Sequence, residues 1–172
     1  MESPTTDAPL AVAIHREGPL LHWRVTNVSA APVWAFLLVP TPAEGSFTFA
    51  TDAAWLEAEG ELIVARKVDA QVPEGPRHLD PIPSGAVELA PGATRTGALA
   101  IAEEMEVGGA YAAHPERRRV VSIVLEVGWV PVRAGQPAER LTWAGQPFAY
   151  LQTLTEPGGQ RYVRSAPLRW RP

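Results

Sequence analysis

The chain has 172 residues, 46% of them hydrophobic and 20% charged, which is the length and balance of one globular domain and excludes a disordered or fibrous polymer. Its net charge of −4, with Lys67 the single lysine, lacks the concentrated positive surface that nucleic acid rewards, and the absence of cysteine rules out disulfides and thiolate metal sites. Eighteen prolines and fourteen glycines are too many for a helical protein and mark turns between short elements.

In chain order, residues 1 to 8 are small, polar and proline-bearing and read as a frayed tail ahead of a single domain over 9–172. They lack the basic and apolar regions of a signal peptide, and no window reaches the length of a membrane span. Heavy use of Ala, Arg, Pro and Gly points to a GC-rich bacterial genome, so a bacterial cytosolic protein is expected. Strands follow at about 10–16 and 20–28, joined at Glu17-Gly18-Pro19, with Leu21, Trp23 and Val25 inward and His22, Arg24 and Thr26 outward. Asn27-Val28-Ser29 fits a glycosylation acceptor but reads better as a turn. Val33 to Val39 is apolar at every position, as in a central strand covered on both faces.

Further on, 46–49 alternates, 52–59 fits one helical turn or a short strand around Trp55, and 61–66 reads as an edge strand. Four prolines break all periodicity from Asp69 to Gly85, which predicts a long irregular loop of the kind that is often functional. A weak strand at 94–102 precedes a second irregular stretch at 103–119, acidic at its start and arginine-rich at its end. The closing strands fall at about 119–133, 140–144, 147–154 and from 160 onward. The core is expected to hold Val12, Ile14, Trp23, Val25, Leu37, Ile123, Leu125 and Val127.

No Gly-x-Ser-x-Gly elbow surrounds any serine, so triad chemistry has no sequence support. His78 and Asp80, two apart in the proline-rich loop, could sit side by side, but no third metal ligand is announced. Neither a metal nor a cofactor is therefore expected. Glu57, Glu59 and Glu61 share one strand face by period two, and an acidic, solvated edge that discourages aggregation is the simpler account than paired catalytic carboxylates. The closing segment interleaves Arg161, Tyr162, Arg164 and Trp170, a composition enriched at protein interfaces.

Leu21-x-Trp23-x-Val25-x-Asn27 followed by Ala31-Pro32-Val33, and later Leu89-Ala90-Pro91-Gly92 ahead of a strand, resemble the turn chemistry of bacterial immunoglobulin-like β-sandwich domains. Among these the pattern is most similar to the intracellular proteinase inhibitor type. The resemblance covers about a fifth of the chain and implies an all-β, immunoglobulin-like antiparallel β-sandwich, here with two long irregular loops at 69–85 and 103–119. No reactive-site motif accompanies it. The expected function is a non-enzymatic protein–protein interaction module, an assembly subunit, adaptor or inhibitor, that meets another protein through Arg161, Tyr162, Arg164 and Trp170 and through the loop bearing His78 and Asp80. The alternatives are a small-ligand or carbohydrate-binding sandwich using exposed tryptophans and, behind it, an unrecognised enzyme.

Overall fold

Period-two alternation leaves each strand with one face to bury and two edges to pair, so a chain built this way closes only as packed sheets. The computed structural model describes residues 8–44, 46–70, 83–136, 138–151 and 159–170, and every regular element among them is a strand. These are β1 (Leu10–Glu17), β2 (Leu20–Asn27), β3 (Val33–Ala43), β4 (Ser46–Ala50), β5 (Trp55–Glu59), β6 (Leu62–Lys67), β7 (Gly85–Leu89) and β8 (Thr94–Ala100). They continue as β9 (Glu104–Val107), β10 (Glu116–Arg119), β11 (Ser122–Pro131), β12 (Ala138–Trp143), β13 (Gln146–Leu151), β14 (Arg161–Arg164) and β15 (Leu168–Arg169).

The strands form a small sheet in the order β1-β2-β8, a large one in the order β12-β13-β7-β3-β11-β6-β5, and a separate β9–β10 hairpin. β11 is the axis of the large sheet. Along one edge it pairs parallel with β6 and then antiparallel with β3, while β15 and β14 share the opposite edge, so that Trp129 stands between Ala35 and Arg161. Ile123, Leu125, Val127 and Trp129 of β11 face Leu21, Trp23 and Val25 of β2 in one apolar core, joined by Leu10, Leu99 and Phe148, with Val12 and Ile14 packed at its margin. The architecture is thus all-β and sandwich-like. β3 is buried along Val33–Val39, as its unbroken apolar run predicts. Leu37 and Leu38 both join the inner core, which strict alternation forbids; the register shift between Phe36 and Leu38 supplies the extra residue. Trp34 and Phe36 point the other way, into a second cluster with Ala86, Val130 and Ala149.

Asn27 explains why its turn sequence has the form it does. Its buried amide donates to the carbonyls of Ala31 and Leu89 and accepts from Ser29, while its backbone pairs with Gly92 and Ala93. One side chain therefore ties the end of β2 to the turn before β8, and it is not available as a glycosylation acceptor. Lys67 is the other buried polar group of note. It lies between the sheets with Nζ 4.9 Å from the Trp23 ring centroid and donates to the carbonyls of Leu37, Thr51 and Ala53.

Several expectations are corrected. Of the two readings of 52–59 the short strand is the one formed, as β5 over Trp55–Glu59, and it is β5, not the segment after it, that forms the edge of the sheet. The stretch 103–119 is not an irregular loop: its acidic and basic ends pair as β9 and β10, with Glu104 opposite Arg119 and Glu106 opposite Arg117. Of the proline-rich loop only its two ends are described, and His78 and Asp80 lie outside the described residues. Among the described residues no helix is long and apolar enough to cross a membrane.

Candidate functional site

The face of the large sheet turned away from the inner core carries a row of charge where an apolar surface would be expected. Its centre is Glu126, inside the apolar run that follows Ser122 in β11, with Arg66 of β6 opposite on one side and Arg164 of β14 opposite on the other. The carboxylate is 5% exposed and accepts from Arg66 Nε at 2.5 Å and from Arg164 Nε at 2.6 Å. Each arginine then reaches a second carboxylate. Arg66 Nη1 donates to Glu57 at 3.1 Å, and Arg164 spans to Glu59 with two bonds of 2.6 and 2.8 Å. The result is an alternating chain, Glu57, Arg66, Glu126, Arg164, Glu59, across four strands. Val64 and Val124 share that face and are buried.

The electrostatics follow from these contacts. Hydrogen bonds from Arg164 hold Glu59 below the usual carboxylate range, and those to Glu59 and Glu126 hold the Arg164 guanidinium above its ordinary value. Burial works against the charge of Arg66, yet Glu126 and Glu57 outweigh it and keep that group above its ordinary value too. Both arginines are fixed cations, held in place by geometry and charge together.

Beside this row lies a cleft of about 300 Å³. Its walls include Trp55, Tyr111 and Tyr162, with Glu57, Arg66 and Asp69 as the polar groups. Tyr162 is 45% exposed; Arg66 stacks over its ring at 5.4 Å, and burial of the remainder pushes its hydroxyl up. Asp69 is positioned by Gln160, whose side chain donates to the Asp69 carbonyl at 2.6 Å and accepts from its amide at 2.9 Å. Gln160 in turn lies across Gly128, where any Cβ would collide with it. The far wall comes from the turn of the β9–β10 hairpin. Gly108 and Gly109 both donate to the Leu56 carbonyl, docking the hairpin on β5. Gly109 has a φ of 76° and a β-carbon there would come within 2.7 Å of a Glu57 oxygen, so no other residue fits without moving the wall.

The chain matches no known family, curated protein or solved structure. The site is therefore read from its own geometry. Of the residues singled out in the sequence, the structure brings Tyr162 and Arg164 to this face. Arg161 is exposed, its guanidinium 5.4 Å from the Trp129 ring on the other side of β14. Trp170 is a correction: at 3% exposure it belongs to the inner core under Arg16 and offers no surface to a partner. Glu57 and Glu59 do share a face, but both are bonded to arginines, which replaces the picture of a solvated acidic edge; Glu61 alone is left in an exposed turn. Glu126, Arg66 and Tyr111 were not singled out, while Trp55 entered only as one of the tryptophans and Asp69 only as the start of the proline-rich loop. The signal for Glu126 was present, since a carboxylate inside a nine-residue apolar run needs a partner wherever it is buried.

Proposed function

We propose that this protein is a non-enzymatic binding module of the bacterial cytosol, an immunoglobulin-like domain whose outer-face cleft takes a basic side chain of a partner protein. One observation carries the reading: Trp55, Tyr111 and Tyr162 converge with Glu57 and Asp69 on a single cleft. Aromatic faces and carboxylates attract a guanidinium or ammonium group by the ring quadrupole and by charge. Among the described residues that line the cleft, the charged groups are the carboxylates of Glu57 and Asp69 and the guanidinium of Arg66. The salt-bridge row also holds the wall rigid before binding, which limits the ordering cost of association. The bonds of Asn27, which join the two motifs quoted for the immunoglobulin-like resemblance, support that finer reading of the sandwich. The three aromatics give the sugar-binding alternative its one specific support, since such faces also stack on sugar rings.

The test starts with capture of partners by the tagged chain from its native host, followed by titration of the purified partner. Glu57→Gln and Tyr162→Ala are each expected to weaken binding at least tenfold, and an arginine-bearing peptide from the partner's contact should compete. Parent-like affinity in both variants would reject the cleft as the site. Competition by simple sugars without competition by the peptide would transfer the site to the carbohydrate reading.

A further inference from the structure

On the opposite side of the molecule the first hairpin places three metal-ligating side chains together. His15 and Glu17 lie two apart on β1 and so share its outward face, and β2 sets His22 directly across from His15. The two imidazoles are parallel within 13° with ring centroids 5.0 Å apart. Glu17 Oε2 stands 3.4 Å from His22 Nε2, and one ligand atom from each of the three residues lies within 4.8 Å of the others. That nitrogen is buried and makes no hydrogen bond, the glutamate contact being too poorly aligned to count as one. A buried ring nitrogen without a partner loses the hydration it had in the unfolded chain and receives nothing in return. A cation would supply the missing partner.

We propose that His15, Glu17 and His22 form a surface binding site for a late first-row divalent cation such as zinc. The donor set of two imidazoles and a carboxylate suits a borderline-soft ion and leaves a fourth position open for water or an incoming ligand. With bonds of about 2.0–2.2 Å, tetrahedral ligand atoms lie about 3.3 Å apart. The His22–Glu17 separation already meets this. A metal lies in the plane of each imidazole it binds, so the exposed His15 ring turns out of its parallel stack, and the exposed Glu17 moves with it, to meet an ion on half-buried His22, which serves as the fixed ligand. Arg24, two residues beyond His22 on β2, lines the same hollow and opposes a cation there. The site is independent of the outer-face cleft, and its failure would leave that reading untouched.

The experiment is titration of the full chain with zinc alone, followed by calorimetry and by imidazole nuclear magnetic resonance signals. One zinc per chain is expected, with perturbation of the His15 and His22 rings and not of His114. His15→Ala and His22→Gln should each weaken binding at least tenfold, Glu17→Gln should weaken it several-fold, and Arg24→Ala should tighten it. Circular dichroism of each variant checks that the hairpin is intact, and Arg24→Ala leaves all three ligands in place should a histidine variant misfold. No saturable binding up to about 1 mM zinc, or a stoichiometric site indifferent to both histidine substitutions, would overturn the proposal.

Discussion

Burial draws the Lys67 amine down to about 7 from its ordinary 10.5, against the attraction of Asp52. Between those two values the unfolded chain binds more protons than the folded one, so this residue makes the fold more stable as pH rises through that window. The expected slope is roughly 1.4 kcal/mol per pH unit at its steepest. Urea unfolding of the parent and of Lys67→Met between pH 7 and 10 checks it: the parent should gain on the variant with rising pH. At every pH the variant also leaves the carbonyls of Leu37, Thr51 and Ala53 without their donor, at a cost of roughly 1–3 kcal/mol for each that stays dry. Glu126 is the complementary case, a buried carboxylate with two arginine partners. Glu126→Gln should cost roughly 1–3 kcal/mol in chemical denaturation. That is less than the loss for a wholly buried pair, because Arg66 and Arg164 keep Glu57 and Glu59 and some solvent.

At the scale of single elements, the β12–β13 hairpin contains a position that its residue does not suit. Ala144 has a φ of 48° and Gly145 a φ of 75°, the pair of left-handed residues that a two-residue turn of this kind needs. Alanine tolerates that region poorly, so Ala144→Asn is expected to raise stability by about 0.5–1 kcal/mol, measurable as a higher urea midpoint at unchanged slope. Elements of this kind, β1, β2 and β3 among them, were legible in the sequence because alternation and turn chemistry are local. The β9–β10 hairpin was not, since β10 consists of glutamate and arginine alone and the alternation of β9 amounts to Met105 and Val107, too short a run to read as a strand. Nor was the central place of β6, whose parallel partner β11 lies about 60 residues away and leaves no local trace. The candidate site divides in the same way. Tyr162 and Arg164 stood out by composition, whereas Trp55 and Arg66, opposite one another in the β5–β6 hairpin, meet Glu126 only through the pairing of β6 with the distant β11.

At the scale of the molecule, the two faces of the large sheet do different work. The inner face is a conventional apolar core shared with the small sheet, and the outer face combines a second apolar cluster with the salt-bridge row and the cleft. Most contacts that hold the layers together join residues far apart in the chain, as expected of an all-β topology, so folding should be slow relative to helical domains of this size. The same arrangement separates the proposed cation site, on the outward face of the small sheet, from the cleft. Binding at one need not disturb the other.

The burial of Lys67 also makes the chain its own reporter of opening. With no other lysine present, an amine-reactive acylating reagent meets no ε-amine on the surface of the folded protein. Acylation of Lys67 must wait until the two sheets part, so its rate counts those events directly. Mass spectrometry of the Lys67 peptide after timed exposure should show modification rising with urea in step with the unfolding transition. Modification in native buffer as fast as that of a free lysine would mean that the amine is reachable without separation of the sheets.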